Sequence, residues 1–132
     1  MMDGNELHSL LSYELASAKR YRRFVSVALL RLPDQGRDLR DVLNHTLRES
    51  DLIIDVDQDY SLMAVLMSET DGTGARVAIE RFKQLAGPHV DIRIGIATFP
   101  FDAGTSTEML NSVFGRMNKA LEQGTSAVVT CG

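Results

Sequence analysis

The run from Arg48 to Val65, RESDLIIDVDQDYSLMAV, constrains the fold more than any other part of the chain. Two stretches of β-branched and aliphatic residues flank a short, acid-rich polar tip, the pattern of two antiparallel strands joined by a tight loop. Strands are predicted near Leu52 to Val56 and Tyr60 to Met67, entered from a helix that runs out at Arg48-Glu49-Ser50-Asp51. A lone hairpin is marginal in water, so the rest of the chain must supply more strands beside it and helices over it.

Upstream, Leu7, Leu10, Leu11, Leu15 and Ala18 recur at helical spacing and predict an amphipathic helix from Asn5 to about Arg20. It closes in a basic run, Lys19-Arg20-Tyr21-Arg22-Arg23. Such cations complement the helix dipole, and a phosphate-binding role is the other reading. Val25 to Leu32 is apolar on both faces, as an interior strand is. Pro33-Asp34-Gln35-Gly36 breaks it. A helix from about Arg37 to Glu49 follows, with Leu39, Val42, Leu43, Thr46 and Leu47 as its apolar stripe and Arg40, Asn44 and Arg48 on another face.

Beyond the hairpin, Ala75, Ala78, Ile79, Phe82, Leu85 and Ala86 mark a helix, with Thr70 to Gly74 as turn and cap and Gly87-Pro88 as its end. Val90 to Thr98 alternates as a strand, and Gly95 within it marks a place of close approach. Thr105 and Glu108 have capping-box spacing ahead of a helix faced by Leu110, Val113, Phe114, Met117 and Leu121. Gly124 is its expected C-terminal cap, and Ser126 to Thr130 a short last strand.

The 132 residues, 44% hydrophobic and 24% charged, suit one domain over residues 1–132 with a single core. A chain opening on an amphipathic helix is expected to continue an upstream part of a longer protein. The net charge of −4 gives no general attraction for nucleic acid or membranes. The single cysteine, Cys131, allows neither an internal disulfide nor a cysteine-rich zinc site, which suits a reducing cytoplasm. No apolar run reaches the roughly 18 to 20 residues of a membrane span. A cytoplasmic location is expected.

The order helix, strand, helix, strand, strand, helix, strand, helix, strand, with a hairpin in its middle, resembles the GGDEF domain of diguanylate cyclases. Three stretches carry the likeness. Leu15-Ala16-Ser17-Ala18-Lys19-Arg20-Tyr21 leading to Val25-Ser26-Val27-Ala28-Leu29-Leu30 is similar to the family's first helix and strand. Asp91-Ile92-Arg93-Ile94-Gly95-Ile96-Ala97, followed by Phe99-Pro100, is similar to its Ser-Ile-Gly-Ile-Ala strand, and Met109 to Val128 to its last helix and strand. The resemblance implies an α/β (α+β) fold with a βαββαβ nucleotidyl-cyclase-like core, a mainly antiparallel sheet with helices packed on it.

The departures from the family decide the expected function. Arg31 stands where the family places a magnesium-binding aspartate at the end of its first strand, and a cation there repels the metal. The tip reads Asp57-Gln58-Asp59-Tyr60-Ser61 in place of Gly-Gly-Asp/Glu-Glu-Phe. The family has a longer stretch between its first strand and the Arg-x-x-Asp step, with polar residues that recognise guanine, and Pro33 to Glu49 is too short to contain it by roughly a dozen residues. Leu121 aligns with a lysine of the family's last helix. Only Asp59 retains an acid at the tip, and metal, phosphate and base contacts are all compromised, so no cyclase activity and no metal cofactor are expected.

One family feature is kept. In GGDEF proteins an Arg-x-x-Asp step ahead of the signature forms an inhibitory site for cyclic dimeric GMP, and Arg48 and Asp51 match it in type, spacing and distance from the tip. A guanidinium can donate to guanine O6 and N7, and a carboxylate can accept from its N1–H and N2–H groups. A further arginine from the next helix commonly completes that site, for which Arg81 or Arg76 is available. The competing reading makes Arg48 a dipole-complementing residue in the last helical turn and Asp51 a polar strand start.

The remaining candidates are weaker. Asp55, Asp57 and Asp59 alternate, but Tyr60 and Leu66 stand where an EF-hand needs glycine and glutamate. His8, His45 and His89 have no ligand spacing. The resemblance therefore implies a bacterial, catalytically inactive GGDEF-like receptor for cyclic dimeric GMP that regulates a protein partner or neighbouring domain, exopolysaccharide secretion being one process such receptors control. An interaction or dimerisation module that binds no nucleotide is the alternative, ahead of residual cyclase activity.

Overall fold

The chain, described at residues 4–32, 36–57, 62–87, 90–123 and 128–130 of a computed structural model, is built around the strand that is apolar on both faces. That strand, β1 (Val25–Arg31), is buried from Val25 to Leu30 because it lies mid-sheet. Around it run α1 (Gly4–Tyr21), α2 (Gly36–Thr46), β2 (Leu52–Asp57), β3 (Leu62–Ser68), α3 (Gly72–Ala86), β4 (Arg93–Phe99), α4 (Ser106–Gln123) and β5 (Val128–Val129). The sheet order is β2-β3-β1-β4-β5, antiparallel except for the parallel β4–β5 pair. The expected mixed fold, with a mainly antiparallel sheet under helices, is the one observed.

Strand alternation divides the core into two layers. Val25, Val27 and Leu29 pack with Leu7, Leu11 and Leu15 of α1 and with Met109, Val113 and Met117 of α4. Ala28 and Leu30 face the opposite way, against Leu39 and Leu43 of α2 and Ala75, Ile79 and Phe82 of α3. Gly95 explains how closely one helix sits. A Cβ built there would lie 2.5 Å from Met117 N and 2.7 Å from Val113 O, so the α4 backbone rests directly on β4.

Local signals set several boundaries. Asp71 caps α3, its Oδ1 accepting from Gly74 N at 2.8 Å, and Gly87 ends the helix at φ 108° with its amide on Lys83 O. At α4, Glu108 N donates to Thr105 Oγ1 at 3.1 Å, one half of the expected capping box, while Glu108 Oε1 accepts from Gly104 N at 3.0 Å rather than from the Thr105 amide.

Three expectations need correction. Helix α2 ends at Thr46, whose Oγ1 donates back to Val42 O, so Arg48 lies beyond the helix in a turn. Leu85 and Phe114, assigned to apolar stripes, are exposed, at 60% and 36%. Each lies at the margin of a stripe whose centre already fills the space against the sheet. The break at Pro33 to Gln35, the tip residues Gln58, Asp59, Tyr60 and Ser61, and Pro88, His89, Gly124 and Cys131 lie outside the described residues.

Candidate functional site

The turn joining α2 to β2 is closed from both ends by the Arg-x-x-Asp step. Asp51 N donates to Arg48 O at 3.0 Å, and the Arg48 amide donates to Asp51 Oδ2 at 3.0 Å. Using one carboxylate oxygen on the backbone leaves the other to face what lies beside it. Asp51 Oδ1 is buried, in a side chain only 4% exposed, and has no hydrogen-bond partner. Arg48 Nη2 stands 3.6 Å from it, close enough for charge attraction and too far for a hydrogen bond.

Arg48 is directed largely elsewhere. Its Nη2 donates to Ser68 O at 2.8 Å and to Thr70 Oγ1, tying the turn before β2 to the turn between β3 and α3. Its side chain is still 58% exposed, on the rim of a hollow of about 420 Å³ between that turn and α3. Besides Arg48 and Asp51, the walls include Phe24, Met67, Val77 and Arg81. The volume is within the range of small-ligand sites, roughly 300 to 1,000 Å³.

Charge in the hollow is mixed. Arg48 and Arg81 line it together with Asp51, Glu69 and Asp71. Two of these acids are already engaged, Asp71 with the α3 amide and Glu69 with Arg23 at 3.0 Å. Asp51 is the acid left with an unsatisfied buried oxygen. Arg76 lines a second hollow of about 710 Å³, which Arg81 also borders, together with Thr98, Phe101 and Thr130, and it donates weakly to Thr130 Oγ1 at 3.4 Å. Of the two arginines offered by the sequence, Arg81 joins Arg48 and Asp51 and Arg76 does not.

At the opposite end of the sheet, Arg31 ends β1 and is paired across the strands with Leu62 of β3 and Arg93 of β4. The end of β1 therefore lies beside the base of the hairpin tip. Asp55 is ion-paired with Arg40 of α2. Leu121 packs against the α1–α4 core layer, and its carbonyl accepts from Arg93 Nη1 at 2.7 Å. His8 approaches Ser106 and Thr107, while His45 Nδ1 meets Asp41 O.

Comparison with solved structures is unambiguous about architecture. The GGDEF domain of TpbB (YfiN) from Pseudomonas aeruginosa superposes with a TM-score of 0.86 over 97% of this chain and 94% of that one, at 19% identity. The chain has the GGDEF-domain fold. The diguanylate cyclase SiaD from Pseudomonas aeruginosa, in complex with its activator SiaC, matches at TM-score 0.80 and 17% identity over 96% of this chain and 57% of that one. A microbial GGDEF domain described in its interaction with bis-(3′,5′)-cyclic di-GMP matches at TM-score 0.73 and 14% identity over 97% and 91%. No protein-family model and no curated protein matches by sequence.

Within this GGDEF-like fold, sequence reasoning missed several residues near the hollow. Ser68 and Thr70 hold Arg48, and Phe24 stacks on Phe101 with ring centres 5.6 Å apart. Thr70 and Phe101 are each far from their partners in sequence, so no local spacing signals either contact. Among the described residues, no helix is long and apolar enough to cross a membrane.

Proposed function

We propose that this GGDEF-like domain is catalytically inactive and binds cyclic dimeric GMP at the Arg48–Asp51 turn, passing the signal to a protein partner or neighbouring domain. The observation that carries the reading is the buried Oδ1 of Asp51, which has no hydrogen-bond partner, in a residue that lines a ligand-sized hollow. A carboxylate oxygen in that state is costly, and a guanine N1–H or N2–H would satisfy it. Arg48 on the rim and Arg81 on α3 supply donors for the O6 and N7 edge or for phosphate. Inactivity is supported by Arg31 at the end of β1 and by apolar Leu121, positions where the chemistry would call for an acid and a lysine.

A route for the signal runs through residues 68–70. Ser68 Oγ donates to Glu14 of α1 at 3.0 Å, and Glu69 pairs with Arg23 just after α1. A ligand that draws Arg48 away from Ser68 and Thr70 would change the support of the same turn that holds α1. The surface of α1 is thus the natural output of this site.

A second reading is favoured by the bonds Arg48 already makes. Its hold on Ser68 O and Thr70 Oγ1 would suit a purely structural staple within an interaction module. Calorimetric titration with cyclic dimeric GMP separates the two, using wild type, Arg48→Ala and the near-isosteric Asp51→Asn. Saturable binding lost in both variants, each checked for an intact thermal unfolding transition, supports the receptor. Folded wild-type protein that gives no heat and no competition overturns it in favour of the interaction module.

A further inference from the structure

Asp51 and Phe24 stand at opposite sides of one hollow. Asp51 precedes β2 and Phe24 precedes β1, with β3 between those strands, so two strand spacings, on the order of 10 Å, separate them. Phe24 belongs to the same strand face as Ala28 and Leu30, the face covered by α2 and α3, and lines the hollow together with Val77 and Ala78 of α3. One side of its ring is held by Phe101, at 5.6 Å between centres and 12° between planes. The pair sits at the surface, Phe24 being 37% and Phe101 78% exposed.

Two exposed phenylalanines stacked on each other leave one ring face of Phe24 for whatever enters the hollow. The partner ring fixes the orientation of that face before any ligand arrives, which lowers the ordering cost of binding. Arg48 and Asp51 stand at the other side, where they can read the edge of only one base. A ligand with a second base needs a flat apolar surface for it, and Phe24 is the aromatic residue lining this hollow.

We infer that Phe24, braced by Phe101, is a stacking platform for the second purine, which makes this site selective for a dinucleotide over a mononucleotide. The inference rests on the nucleotide-binding reading above. It assigns the two ends of the hollow different tasks: hydrogen-bond recognition at Asp51 and Arg48, and stacking at Phe24. Base stacking on an aromatic side chain tolerates any base, so Phe24 sets ligand size while Asp51 sets base identity.

The test compares Phe24→Leu with wild type in calorimetric titrations against cyclic dimeric GMP and against GMP. Leucine keeps apolar bulk and removes the π face. The expected result is a loss of roughly tenfold or more in affinity for cyclic dimeric GMP with GMP binding unchanged. The chain has no tryptophan, so Phe24→Trp adds a single indole emitter, whose fluorescence should be quenched by cyclic dimeric GMP and not by GMP. This second variant also keeps the test intact if leucine disturbs the fold. Wild-type affinity in Phe24→Leu together with loss in Arg48→Ala would overturn the platform and leave the receptor standing. No binding to wild-type protein would overturn both.

Discussion

Arg116 of α4 donates from Nη2 to Oδ1 of Asp102 at 2.9 Å while its Nη1 donates to Ile96 O at 2.7 Å. Asp102 in turn takes both backbone groups of Thr98, its Oδ2 accepting from Thr98 N and its amide donating to Thr98 O, each at 2.7 Å. Among the described residues, β5 pairs with β4 only at Ile94 and Gly95. Arg116 and Asp102 thus satisfy the edge of β4 past the point where β5 stops, an edge that would otherwise invite a foreign strand.

Replacing Arg116 with methionine keeps the buried stem and removes the guanidinium. The Ile96 carbonyl and the Asp102 carboxylate would then each lose a charged donor in a largely buried setting. The expected cost is roughly 2 to 4 kcal/mol, measured by urea unfolding against wild type. A loss within about 0.5 kcal/mol would mean that water or Asp102 itself replaces those bonds.

The same pair should shape the acid limb of stability. Burial pushes the Asp102 carboxyl up, but the Arg116 hydrogen bond, the Thr98 amide and the Arg116 charge together outweigh it and hold the group below its ordinary value. A pKa lowered in the folded state gives stability that is present above the unfolded value, about pH 4, and lost as pH falls through the folded value. Unfolding free energies followed downward from neutral pH should therefore fall less steeply below about pH 4 in Asp102→Asn than in wild type. Parallel acid limbs would contradict the assignment.

Gly95 offers a test of how α4 is seated. A methyl group at this position would meet backbone atoms, Met117 N at 2.5 Å, Val113 O at 2.7 Å and the Arg116 carbonyl carbon at 2.9 Å, rather than side chains able to turn aside. Gly95→Ala should cost at least the upper part of the roughly 1 to 3 kcal/mol typical of overpacking, read as a lowered midpoint in thermal unfolding. Gly115, with nothing within 4 Å of its would-be Cβ, is the control, and Gly115→Ala should not destabilise.

The fold was readable from the chain because its signals are local. The apolar run of β1, the spacing of Leu7, Leu11 and Leu15, and the cap at Thr105 each require only neighbours in sequence. Side-chain destinations were less readable. Arg76 and Arg81 are five residues apart, roughly 140° around a helix, so that both border the hollow beside Thr98 and Phe101 but only Arg81 also borders the one holding Arg48 and Asp51. Arg116 is buried within an otherwise amphipathic helix because the end of β4 needs a donor, a demand that arises only when residues 96–102 are folded beside it. The turn at Arg48 was misplaced into α2 because Leu47 continues the apolar stripe, whereas Thr46 is where the helix stops.

The contact between Arg48 and Thr70 sets the last test. If Arg48 is to serve a ligand, part of the binding energy goes into drawing its Nη2 away from Thr70 Oγ1 and Ser68 O. Thr70→Val keeps the shape of the side chain and removes one of those acceptors, so the variant should bind cyclic dimeric GMP a few-fold more tightly, a fraction of the roughly 1.5 to 3 kcal/mol ascribed to a hydrogen bond with a charged group. Its stability should fall by about 1 kcal/mol, because the β3–α3 turn loses a tie. A structural staple predicts the same loss of stability with no ligand effect. Measuring affinity and unfolding on the same variant therefore separates an arginine held in reserve for a nucleotide from one whose task is to hold the turn.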